Sequence, residues 1–405
     1  MVWLLRRDEM DEFVERIVDH LRVLVEEIGE RPGGSAANRS TIDYLTKVLD
    51  EAGWLVEQQW FDCPAWTDLG TELRANGRQL PAATNAFSAP CDVAAPLMAV
   101  GTLAELQQAD LHGRAVLLYG DVAPAPLSPK SWFLLSEREA EIIALLEHGR
   151  PAVLVTAQRF GGGLERLIED WEFTIPSATI SAETARELLQ NLPAEVHLHI
   201  ASSRAAGRTA NVLARSRPRK QRVVICAHHD TKFGTPGALD NASGCAVVLA
   251  LAETMVAARY PFAIELVFFA NEEYLPIGDD EYLLRQRDDG LGDILACINI
   301  DGVGLWNAPD SITAMSAGPE FEAALHQVAA RNPQIIWTEP WPESNHSTFA
   351  WRGVPSVAFT SATRTALAHH PEDDLRWINP QRLAMLVEMI SNILDLPGRV
   401  QTRSF

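Results

Sequence analysis

No apolar run among the 405 residues approaches the roughly 18 needed to cross a bilayer, so a membrane-spanning protein is not expected. Basic residues are also few. Lys and Arg total 34 against 54 Asp and Glu, a formal net charge of −20, which argues against the clustered cations of a nucleic-acid surface. The acid excess reads as a solubility feature with a weak pull on cationic substrates. The five cysteines (Cys63, Cys91, Cys226, Cys245, Cys297) are odd in number, scattered and without metal-ligand spacing, so reduced thiols in a cytoplasmic protein are expected. The opening Met1 to Arg7 gives way to charge before a signal-peptide core can form. Gly161-Gly162-Gly163 lacks the strand and lysine of a phosphate loop and reads as a turn. Ser243 has no Gly-x-Ser-x-Gly elbow around it.

What the chain does have is apolar content, 47% of its residues, enough for a large core or two domains. Met10, Phe13, Ile17, Leu21, Leu24 and Ile28 recur at helical spacing over 8–29, and Ile42, Leu45, Val48 and Leu49 do so over 38–52. A strand is expected over 54–61. Between 62 and 206 short strand-like runs (97–100, 115–119, 152–156, 195–200) alternate with Pro- and Gly-rich turns and two helical stretches, 137–148 and 181–191. Near the end, Asn379-Pro380 supplies an N-cap and a first-turn proline for a closing helix. Strands alternating with helices predict an α/β fold with a mixed, mostly parallel sheet flanked by helices.

The informative stretch is 222–273. Val223-Val224-Ile225 run towards His228-His229-Asp230, as a buried strand does when it delivers polar groups at its tip. The turn Pro236-Gly237-Ala238-Leu239-Asp240 leads into an apolar helical run, 246–258. A second strand, 263–270, ends on Asn271-Glu272-Glu273, and a third ends on Asn299-Ile300-Asp301. A last polar cluster is His369-His370-Pro371-Glu372-Asp373-Asp374. Open α/β sheets place their sites at such strand ends.

Taken in this order, the motifs His-x-Asp, Pro-Gly-Ala-x-Asp-x-x-x-Gly, Glu-Glu, Asn-x-Asp and His-x-Pro-Glu-Asp resemble those of the co-catalytic zinc exopeptidases of the aminopeptidase Y, bacterial leucyl aminopeptidase and glutamate carboxypeptidase family. The resemblance implies two divalent metal ions, zinc being the expected one. Asp240 would bridge them, with His228 and Asp301 on one ion and Glu273 and His369 on the other. Glu272 would be the general base, and Asp230 a carboxylate orienting His228. It also implies a metallopeptidase domain over 1–61 and 207–405, interrupted at 62–206 by a smaller insert similar to a protease-associated domain; the run Asp110 to Leu118 resembles part of one. His370 replaces a threonine usual in relatives, and Ser344-Asn345-His346 replaces Ser-Asp-His. Gly278-Asp279-Asp280 replaces Gly-Ser with no evident consequence. No tyrosine follows Tyr282, so the oxyanion donor of some relatives is unassigned.

The expected activity is release of N-terminal residues from a peptide substrate. A carboxypeptidase or dipeptidase of the same fold is the alternative, as is a metal-free binding protein that kept the fold. Glu272-Glu273 and Glu372-Asp373-Asp374 are the candidate partners for a substrate ammonium. Arg364 is the single basic residue of 361–368 that a carboxylate clamp would use. His346 is assigned to substrate or to structure with equal weight. His197 and His199 are expected on a solvated strand face, and Trp337, Trp341 and Trp351 in the core. Homo-oligomerisation stays open.

Overall fold

The apolar spacing near the N-terminus forms the helix it predicts, Arg7–Arg22, continued by a wider-pitched segment, Val23–Ile28. Ser35 caps the second helix, Ala36–Glu51, by accepting from the backbone N–H of Asn38. This computed structural model describes residues 7–123, 126–132, 134–159, 163–255, 259–286, 290–363 and 367–396; the run Met1 to Arg6, Gly161, Gly162, the end of the expected helix at 256–258, and Arg364 lie outside them. The chain divides into two compact units, one made of Met1–Cys63 with Arg208–Phe405 and the other of Pro64–Gly207.

In the first unit four parallel strands lie side by side in the order Ala263–Phe269, Arg222–His228, Ile294–Ile300 and Ser356–Ser361. Asp310–Met315 joins antiparallel to the last of these and carries Ile335–Trp337 beyond it. On the other side, residues 212–215 pair antiparallel with Ala263–Phe269. The parallel strands are buried on both faces, which is why they read as unbroken apolar runs rather than as alternations. Helix Ser243–Thr254 is buried at every position from Ser243 to Ala252, as a helix apolar all round must be. Leu249, fully buried within it, is a sensitive test of that packing. Leu249→Ala should lower stability by about 2–5 kcal/mol, read as a lower denaturant midpoint; an unchanged midpoint would mean the helix is not packed as described.

Two strands are longer than the sequence suggests. The one expected over 54–61 runs from Leu55 to Ala75, and the run at 195–200 continues as a single strand, Glu195–Arg215. Pro64 and Gly70 in the first, and the polar run Ser202-Ser203-Arg204 in the second, look like breaks. The intervening residues are largely solvent-exposed, so no apolar alternation betrays the strand.

In the second unit Cys91–Val100, Ala115–Leu118, Val153–Ala157 and Ser177–Ile180 pair in parallel succession. Residues 195–200 close one side and Ala83–Thr84 the other, both antiparallel. Its helices Leu103–Gln108, Glu137–Gly149 and Ala182–Gln190 begin at Thr102, Ser136 and Ser181, each capping with its hydroxyl. His197 and His199 lie exposed beside Asp92. One expectation fails: Trp351 is 52% exposed rather than core, since it terminates the short helix His346–Ala350. Trp337 and Trp341 are half-buried, the first stacked on the His326 ring and the second edge-on to His346.

Candidate metal centre

The parallel strands bring their C-terminal ends into line. His228 is the last residue of its strand and lies in register with Phe269, after which the neighbouring chain turns through Asn271-Glu272-Glu273. Asp301 follows Ile300 directly, and its N–H donates to the Phe359 carbonyl. Asp240 arrives on the turn that precedes the buried helix. That turn needs glycine at 237, where φ is +61° and a Cβ would meet Thr231 Cγ2 at 2.4 Å. The Asp240–Asn241 peptide is cis, and His369 sits at φ +69°, an uncommon conformation that concentrates at functional sites.

These tips place two groups of donor atoms together, His228 with Asp240 and Asp301, and Asp240 with Glu273 and His369. His228 Nε2 lies 3.0 Å from Asp240 Oδ1 and 3.5 Å from Asp301 Oδ1. His369 Nε2 lies 3.1 Å from Asp240 Oδ2 and 3.2 Å from Glu273 Oε2. The two oxygens of Asp240 thus face different imidazoles.

The residues fit a metal cofactor. Bonds of about 2.0–2.1 Å to a tetrahedral zinc put neighbouring donor atoms roughly 3.3 Å apart, close to these separations. Glu273 Oε1 is buried without a hydrogen-bond partner among the described residues, as a lone pair reserved for a cation would be. The charge balance points the same way, because Asp240, Asp301, Glu272 and Glu273 crowd a site where two imidazoles are cationic candidates within ion-pair distance among the described residues. Burial opposes a charged His228, yet Glu272, Asp230, Asp240 and Asp301 raise its pKa well above the ordinary range. Desolvation and Lys232 likewise oppose a charged His369, although its side chain stays 46% exposed, and Glu273 with Asp240 still raise it to about 10. Burial raises the Glu272 carboxyl; His228 lowers it, while Asp301, Glu273 and Asp240 add to the rise. A cluster that retains protons this firmly is one that divalent cations would neutralise directly.

Each histidine pair divides. His229 turns away from the cluster, its Nε2 3.0 Å from the Ala210 carbonyl and its Nδ1 3.4 Å from Asn38 Nδ2; burial holds its pKa down at about 4. It is therefore neutral, with Nε2–H donating. His370 Nδ1 accepts from the Glu372 N–H, leaving His369 to face Asp240 and Glu273.

Several supporting residues act differently from their sequence reading. Asp230 keeps an ion pair with His228, its carboxylate 3.8 Å from Nδ1, which also approaches the Asp230 carbonyl at 3.3 Å. The same carboxylate has a second task the sequence did not suggest, accepting the backbone N–H groups of Glu272 and Glu273 at 3.1 and 3.3 Å. Asp373 is not available to a substrate ammonium, because its two oxygens accept from the N–H groups of Leu239 and Asp240 at 2.7 and 3.0 Å. Asp374 is committed to Arg376. His346 is buried, with Nε2 2.6 Å from the Trp341 carbonyl and Nδ1 3.4 Å from Asn299 Nδ2, contacts that favour the structural alternative. Asp279 has a consequence after all: buried, its pKa raised to about 7 by that burial, it accepts from Asn345 and Thr348, both at 2.7 Å. Sequence reasoning also passed over Arg31 and Lys232. Arg31 follows a helix and precedes Pro32-Gly33-Gly34, a setting that reads as a helix end. Lys232 Nζ lies 5.7 Å from the Tyr274 ring centre, and nothing in its local pattern set it apart.

Strand ends carrying mixed imidazole and carboxylate donors around one shared aspartate define a class, the α/β metal-dependent hydrolases. Residues 211–394 match Peptidase family M28. The chain is 24% identical over 350 residues to the probable leucine aminopeptidase 2 of Aspergillus fumigatus, covering 81% of this chain and 68% of the relative. It is 21% identical over 406 residues to aminopeptidase YwaD of Bacillus subtilis, covering 91% and 81%. Its fold is that of BSAP, a zinc aminopeptidase from Bacillus subtilis, with a TM-score of 0.77 at 20% identity over 94% of both chains.

Proposed function

We propose that this chain is a zinc-dependent aminopeptidase holding two metal ions, His228, Asp240 and Asp301 binding one and Asp240, Glu273 and His369 the other. The observation that carries the two-ion reading is Asp240, whose oxygens Oδ1 and Oδ2 lie 3.0 and 3.1 Å from two different imidazoles. When bound, such a pair supplies an activated water and a counter-charge for a tetrahedral oxyanion. Glu272, held beside ligand Glu273 by Asp230, is the base that takes the water's proton at its carboxylate and returns it to the leaving amine. Both relatives above are named aminopeptidases, which supports recognition of a free amine. With Asp373 and Asp374 engaged elsewhere, Glu272, Glu273 and Glu372 are left as candidates for the ammonium's partner. The unit Pro64–Gly207 is read as the protease-associated-like insert, and the cysteines, all free, support a cytoplasmic setting.

The test compares one short peptide with its N-acetylated and C-amidated forms. Acetylation should abolish cleavage, and amidation should change it little. The reverse result, with activity lost in Arg364→Ala or Lys232→Ala, would make the chain a carboxypeptidase, because those cations are what a terminal carboxylate would need.

A further inference from the structure

Arg31 is wholly buried, and its guanidinium touches no carboxylate among the hydrogen bonds of the described residues. Every acceptor is a backbone carbonyl. Nε donates to His229 at 2.9 Å, Nη2 to Gly237 at 2.9 Å, and Nη1 to Pro236 at 2.8 Å, with Gly29 and Leu24 further off at 3.1 and 3.3 Å. Its own N–H donates to Thr231 Oγ1 at 2.9 Å, and its carbonyl accepts from Asn38 Nδ2 at 3.3 Å. Burying a cation with no carboxylate in hydrogen-bonding contact, Asp373, Asp230 and Glu273 acting on it only from further off, is a costly way to gain stability alone. A planar fork does something that an apolar side chain or a single ammonium cannot, which is to span several carbonyls in fixed directions.

Those carbonyls belong to two segments far apart in sequence. His229 adjoins His228 at the strand tip, and Pro236-Gly237 begin the turn that delivers Asp240. On its other side the same turn is held by Asp373, whose carboxylate accepts from Leu239 and Asp240 and whose carbonyl accepts from Ala238 at 3.1 Å. The turn is therefore gripped through its carbonyls by a cation and through its N–H groups by an anion. The segment bearing Arg31 also reaches the third tip: a Cβ at Gly33 would lie 1.9 Å from Asn271 Oδ1, so only glycine permits that approach beside Glu272.

We propose that Arg31 is a positioning residue for the metal-bridging carboxylate, setting the separation of Asp240 from His228 by tying the Pro236-Gly237 turn to the strand tip, with Asp373 as its counterpart. The inference rests on the reading that Asp240 bridges two ions. Arg31 touches neither ion nor substrate; it acts through the backbone of residues that do. An imidazole and a carboxylate that must meet one cation tolerate little relative displacement, and loss of a partner that orients metal ligands typically weakens metal affinity by about 10–100-fold.

The experiment titrates the full chain with zinc against a chromophoric chelator, for wild type, Arg31→Met, Arg31→Lys, Asp373→Asn and Ile390→Ala. The last lies in the closing helix Pro380–Leu394, which bears no site residue, and controls for loss of stability alone. Wild type should bind two ions. Arg31→Met should bind zinc about 10–100-fold more weakly, with Arg31→Lys intermediate and Asp373→Asn weakened in the same way. Reloaded with excess zinc, the Arg31 variants should lose kcat with little change in KM. Ile390→Ala should melt earlier yet keep both ions at wild-type affinity. Failure of wild type to bind two ions would sink the two-metal reading itself. Wild-type affinity in Arg31→Met, whatever its melting temperature, would overturn the positioning role. So would an Arg31→Lys that cannot be obtained folded, since Arg31 would then be a requirement of folding.

Discussion

Glu272→Gln should lower turnover by about 10²- to 10⁴-fold, the usual range for losing a general acid–base group, while leaving metal content at the wild-type level. The amide keeps the size and planarity of the side chain but cannot take a proton from water. Glu273→Gln, one residue away, should behave differently. Glu273 Oε2 is 3.2 Å from His369 Nε2 and Oε1 is buried without a hydrogen-bond partner among the described residues, so the amide would place an N–H2 or a neutral oxygen where a charged donor is needed. Metal should be lost along with activity. Elemental analysis beside a rate measurement separates the two substitutions, and identical behaviour would show that the roles within the pair are wrongly divided.

Asp240→Asn should have the largest effect on metal. Any other proposed ligand serves one ion, so its loss should leave the partner site partly filled. Asp240 faces both His228 and His369, and an amide offers one oxygen in place of two charged ones. Both ions should dissociate together at chelator concentrations that wild type withstands, and hydrolysis should fall to background. The backbone should hold, because the Asp240 N–H stays bonded to Asp373; circular dichroism would show it. Retention of one tightly bound ion would replace the bridge by two separate sites.

The strand tips were legible because chemistry interrupts pattern there. A buried parallel strand is nearly all apolar, so His228, Glu272-Glu273 and Asp301 stand out at the points where the apolar runs stop. The choice within His228-His229 rested on motif spacing, and the geometry now supplies a physical reason, since His229 has its own partners in Ala210 and Asn38. What stayed hidden was whatever acts through the main chain. Arg31 and Asp373 bind carbonyls and N–H groups, which every residue carries, so no sequence pattern on the receiving side announces them. Asp230 was legible only in part: the carboxylate two residues from a histidine does pair with it, while its hold on the amides of another segment carries no sequence signal. The long strands Leu55–Ala75 and Glu195–Arg215 escaped because solvent-exposed stretches lack the alternation that reveals a half-buried strand.

The Asp230 carboxylate holds the amides of Glu272 and Glu273 with one oxygen each. Base and ligand consequently share a single mooring, and any shift of the main chain that re-aims one re-aims the other. An engineer seeking a different proton donor or a different ion cannot adjust the two by moving backbone; the changes must be made in the side chains themselves. Substituting Asp230 would instead disturb proton transfer and ion retention together.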